Sequence, residues 1–103
     1  MSDVKRLVDC FFRYKRRYEK TRELIYLVYM ENIAREIGGE FYSWWRRIAP
    51  DYAGWWDGCD VEVSNCVDLV RMAVACWPSV RKRALWKCGT KELMLLVSGE
   101  HVC

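Results

Sequence analysis

The stretch from Asp3 to Ile37 constrains the fold of this chain more than any other part. Its apolar residues Val4, Leu7, Val8, Phe11, Tyr14, Tyr18, Ile25, Tyr29 and Ile33 recur at helical spacing. One long N-terminal helix is therefore predicted over the whole stretch, ended by the pair Gly38-Gly39. Away from that stripe, over the first turns, lie Lys5, Arg6, Arg13, Arg16, Arg17 and Lys20. From Leu24 to Met30 the sequence LIYLVYM is apolar on every side. Such a segment must be enclosed by the rest of the fold or by a second copy. The expected helix has an exposed basic half and an enclosed apolar half. A homodimer packed through Ile25, Val28 and Tyr29 is the expected assembly.

The rest of the chain breaks into short pieces. Residues 40–48 place Phe41, Trp44, Trp45 and Ile48 on one helical face, and Ala49-Pro50 should end that helix. Residues 51–63, with Gly54, Gly58, three Asp and the pair Trp55-Trp56, read as an aromatic-rich loop. Ser64 is the expected N-cap of a helix reaching Trp77, where Val67, Val70, Val74 and Trp77 share a face and Pro78 follows. Residues 79–87 form another short helical candidate before Gly89. Thr90 then caps residues 91–97, a length at which ELMLLV suits either a buried helix or a buried strand. With short connections and no repeat or linker, the expected fold is all-α, a compact array of four to five helices organised on the long N-terminal helix.

Length and composition narrow the class. A chain of 103 residues, 52% hydrophobic and with six Trp, has the material for one packed domain over 1–103, and disorder is excluded. The charges at Asp3, Lys5, Arg6 and Asp9 leave no room for the apolar core of a signal peptide. The seven-residue apolar run is far short of the ~20 residues a membrane span needs. On that basis Cys10, Cys59, Cys66, Cys76, Cys88 and Cys103 are expected to be reduced thiols in an intracellular protein of cytoplasm or nucleus. The absence of Gln and the scarcity of Thr, Pro and His, beside abundant Trp, Arg, Cys and Val, fit a G-rich coding strand. Such a bias arises when one frame overprints another gene, which points to a compact viral accessory protein.

A net charge of +3 decides little, but its distribution is informative. Arg13, Arg16, Arg17 and Lys20 have Tyr14 and Tyr18 among them, Arg46 and Arg47 follow Trp44-Trp45, and Arg81, Lys82, Arg83 and Lys87 surround Trp86. Guanidinium forks bind phosphate oxygens bidentately, and cations along a helix can follow successive phosphates of a duplex. The leading expectation is a non-catalytic RNA-binding protein reading duplex shape through Arg13, Arg16, Arg17, Lys20, Arg81, Lys82 and Arg83. The plainer reading makes these solvated helix faces, paired with Asp9, Glu19 and Glu23. The alternative function is a protein-binding adaptor or inhibitor of a host protein that anchors through Trp55 and Trp56.

Other chemistry has little support. Cys59, Cys88, His101 and Cys103 could be assembled into a zinc set, but no CxxC pair occurs, and neither metal nor other cofactor is expected. One histidine close to the end, and acids at Asp51, Asp57 and Asp60 that lack the alternate spacing of a calcium loop, argue against an enzyme.

Overall fold

The N-terminal stretch folds as two helices that double back on each other, not as one. In the computed structural model, which describes residues 2–55, 62–77, 79–81 and 88–103, α1 covers Ser2–Thr21 and α2 covers Leu24–Ile37. Between them Arg22 takes a left-handed backbone (φ 61°), the one described non-glycine residue to do so, and its N–H donates to the Tyr18 carbonyl at 2.7 Å. This is the stop a glycine usually supplies. Thr21 helps end the helix, since its hydroxyl donates to the Arg17 carbonyl at 2.9 Å and accepts from the Glu23 N–H at 3.3 Å. A single helix of this length would run about 52 Å at ~1.5 Å per residue. The longest dimension of the protein is 41 Å, so doubling back is what lets Phe11 and Leu27 share one core.

Three further helices complete the described fold: α3 (Gly39–Ala53), α4 (Cys66–Cys76) and α5 (Lys91–Ser98). All five elements among the described residues are helical, and the ELMLLV segment is helix. Gly38 joins α2 to α3 with φ 68° and ψ −160°, a backbone region that is essentially glycine's alone. Pro50 does not end α3. It costs one N–H bond in the last turns, while the buried Ala49 and Ala53 carry the helix on, and the Trp55 N–H returns to the Pro50 carbonyl at 2.8 Å. The N-cap of α4 is Asn65, one residue after the expected Ser64, with Oδ1 accepting from the Asp68 N–H at 2.8 Å. Thr90 caps α5 as expected, its hydroxyl accepting from the Leu93 N–H at 3.2 Å. The helix expected over residues 79–87 lies mostly outside the described residues.

α2 is the centre of the molecule and touches each of the other four helices. From Met30 to Ala34 every residue is buried, which a helix can only manage when it is covered all round. The chain supplies that cover itself for Met30–Ala34, while Leu24 and Tyr26 in the apolar segment stay half-buried. Val28 is fully buried within one chain, which removes it as an interface residue, while Ile25 and Tyr29 are half-buried. Phe11, also fully buried, packs edge-on against Phe12, Phe41 and Trp45 at centroid distances of 4.9 to 5.3 Å. Trp45 is a core residue and Trp44 packs against the core half-buried.

The cysteines correct a second expectation, because they are not reduced thiols. Cys10 on α1 is bonded to Cys103, and Cys66 on α4 is bonded to Cys88, with Cα atoms 6.5 and 5.8 Å apart. Cys76 is disulfide-bonded too, and among the described residues no cysteine is free. The sequence hid these pairs because the partners lie 93 and 22 residues apart and no local spacing joins them; Cys10 and Cys103 meet only when α1 meets the C-terminal tail. With them goes the support for an intracellular location. No helix is long and apolar enough to cross a membrane among the described residues.

Candidate functional site

The amphipathic pattern of α1 settles which of its cations face water. Leu7, Phe11, Tyr14 and Tyr18 face the core or pack against it, so the opposite side of the helix carries Lys5, Arg6, Arg13, Arg16, Arg17 and Lys20, all exposed. Asp9 is the acid among them. From Lys5 to Lys20 this face extends about 22 Å at ~1.5 Å per residue.

No ion pair forms on this face among the described residues. Glu19 turns to the other flank of α1, where Lys15 donates to its Oε2 at 2.8 Å and the Tyr52 hydroxyl donates at 3.0 Å. Those two hydrogen bonds hold the Glu19 carboxyl below its ordinary pKa. Among the described residues, no carboxylate lies within 4.0 Å of Arg6, Arg13, Arg16, Arg17 or Lys20. The Arg17 guanidinium instead lies 5.4 Å from the Tyr14 ring and 5.9 Å from the Tyr26 ring, which holds it at the surface without removing its charge.

The other expected binding residues do not join this face. Arg81 is exposed, but it sits by Arg35, whose guanidinium is lowered in pKa first by burial and further by the Arg81 charge. Lys82 and Arg83 lie outside the described residues, as does Trp56. Trp55 is half-buried and packed on the core, so it is not a freely projecting anchor.

Residues proposed for metal are likewise not gathered. Cys88 and Cys103 are bonded to different partners, Cys59 lies outside the described residues, and His101 Nε2 sits 2.6 Å from the Glu36 carboxylate. The same bond keeps Cys88 from acting as a nucleophile beside His101.

Sequence reasoning missed a buried ionic centre behind the core. Glu31 of α2 is fully buried and accepts from Trp45 Nε1 at 2.7 Å, Arg46 at 2.9 Å and the Tyr42 hydroxyl at 3.1 Å, with Arg35 3.4 Å away. Burial pushes its carboxyl up in pKa, while the charges of Arg46 and Arg35 pull it down. Arg46 also donates to the carbonyls of Val74 and Ala75 at 2.5 Å each, closing the end of α4. Arg46, half-buried and fully engaged, is therefore structural and unavailable to a ligand. The sequence signal was that Glu31 follows directly on the apolar run Leu24–Met30.

It also missed a cleft of about 400 Å³ at the α1–α2 corner, lined by Tyr18, Arg22, Asp51, Tyr52 and Arg71 among others. No family model, curated protein or solved structure matches this chain.

Proposed function

We propose that this chain is a non-catalytic RNA-binding domain that holds duplex RNA by its phosphates on the solvent face of α1. The observation that carries the reading is the row from Lys5 to Lys20, six exposed cations against one acid on a single helix face. A duplex strand presents a phosphate roughly every 3.4 Å, so a face of about 22 Å can meet about six of them. Contacts of that kind carry no base information, and little sequence preference is expected. Among the described residues no carboxylate lies within 4.0 Å of these cations, Asp9 included, which favours the reading, since they are free to pair with an external anion.

The composition still favours a compact viral accessory protein as the setting. The disulfides move it to a compartment where such bonds persist, away from the reducing cytosol. Arg13→Ala with Arg16→Ala tests the reading, because neither side chain belongs to the core and helicity should be unchanged. The variant should bind duplex RNA severalfold more weakly at low salt, alike for unrelated sequences. No binding by the wild-type protein at low salt would overturn it. Capture of a protein partner that is lost on Trp55→Ala would favour the adaptor instead.

A further inference from the structure

The cleft at the α1–α2 corner has features that the basic face does not explain. It lies where the corner, α3 and α4 meet, and it brings the side chains of Arg22 and Arg71 to one opening of about 400 Å³, with Asp51, Tyr18 and Tyr52 on its walls. That volume is in the range of small-ligand sites.

Each arginine is under-used by the protein. Arg22 has no carboxylate within 4.0 Å among the described residues, and its guanidinium rests 5.6 Å from the Tyr18 ring. Arg71 reaches Asp68 only at 3.8 Å, and its Nε is buried without a hydrogen-bond partner. A buried donor left unmade is costly, and the protein's own contacts do not compensate it.

The backbone adds a second anomaly. Arg22 occupies the left-handed position that ends α1, where glycine has no side-chain penalty and an arginine does. Strain kept at a position where a cheaper residue would serve is a pointer to the side chain's use.

We propose that this cleft binds a phosphate monoester, the terminal phosphate of a nucleotide, between the Arg22 and Arg71 guanidiniums. The planar forks suit the oxygens of a monoester, which presents more free oxygens than an internal diester. Asp51 leaves the cleft with one net positive charge and can accept a hydrogen bond from a sugar hydroxyl. Because Arg22 follows Lys20 by two residues, the cleft lies at the C-terminal end of α1, on the flank that carries Tyr18 and Tyr52. Resting on the RNA reading above, the phosphate is the 5′ end of a strand lying along α1. A free nucleotide is the other source of the same group.

The test uses the whole oxidised chain and one RNA duplex in two forms, 5′-phosphorylated and 5′-hydroxyl, together with a nucleoside 5′-monophosphate. The phosphorylated duplex should bind about tenfold tighter, the scale of one charge-assisted hydrogen bond. Arg22→Gly should abolish that preference while leaving binding of the hydroxyl duplex unchanged. Glycine suits the left-handed corner, so this variant should fold at least as well as wild type, as circular dichroism would show. Arg71→Gln should also abolish the preference. If neither duplex binds but the monophosphate does, and Arg22→Gly removes it, the cleft stands and the RNA reading falls. Equal binding of the two duplexes, or a preference kept by both variants, overturns the proposal while leaving the α1 face intact.

Discussion

Glu31 is the residue on which most of the interior depends. Removing it would leave the Arg46 and Arg35 guanidiniums without their shared anion, and breaking a buried pair from one side costs about 3–5 kcal/mol. Glu31→Ala should therefore lose a large part of a stability of about 5–15 kcal/mol, read as a fall in the denaturant midpoint. A midpoint within error of wild type would show that the centre is dispensable. Tyr42 gives the same centre a pH signature. Burial and then the Glu31 charge push its phenol up to about 12, so the fold favours the protonated form. A raised folded value contributes stability that is complete below the ordinary tyrosine pKa of about 10. That contribution is lost as pH rises from there toward about 12. Tyrosinate absorbance should thus lag in the native protein, with Tyr14 and Tyr52 also raised, chiefly by burial, and unfolding should accompany the late phase. All six tyrosines ionising near 10 with the fold intact would contradict this.

Among the elements, α5 shows how a short helix is held by its neighbour. Asn32 of α2 donates through Nδ2 to the carbonyls of Leu95 at 2.9 Å and Glu100 at 2.7 Å, and Arg35 donates to Leu96 at 2.7 Å. Asn32→Ala removes the donor to the Glu100 carbonyl, while Leu95 keeps the Gly99 N–H, and should cost about 1–3 kcal/mol. Amide exchange should quicken in α5 before α1. Uniform exchange across both helices would argue against this local role. Much of this level was legible beforehand. The aromatic face of α3, the Thr90 cap and the burial of Leu27, Val28 and Met30 follow from periodicity and turn chemistry. The break at Arg22 was not legible, because neither glycine nor proline marks it and the apolar spacing from Tyr18 to Ile25 stays in helical phase. Its trace was the polar run from Glu19 to Glu23, which no core-facing residue interrupts. The cleft was hidden for the same reason, since Arg22 and Arg71 meet only once the corner forms, whereas the α1 cations could be placed from one helix alone.

The whole molecule is tied at its ends. The C-terminal tail is held by the Cys10–Cys103 bond, by the Tyr14 hydroxyl donating to the Val102 carbonyl at 3.1 Å, and by His101 on Glu36. Closing a loop over a separation of 93 residues is worth about 4–5 kcal/mol in the chain-entropy account. Cys10→Ser with Cys103→Ser should lower the unfolding midpoint accordingly and free the tail, and an unchanged midpoint would mean the bond adds nothing. With the frame so fixed, α1 presents its basic face as one strip, and the proposed function reduces to counting phosphates. The decisive measurement is the salt dependence of duplex RNA binding by the oxidised protein. The logarithm of affinity should fall against the logarithm of salt with a slope of about −4 to −5, the range for five or so neutralised phosphates. Arg13→Ala with Arg16→Ala should make that slope shallower by about two. A slope near zero, or one the double variant leaves unchanged, would contradict phosphate binding by this helix.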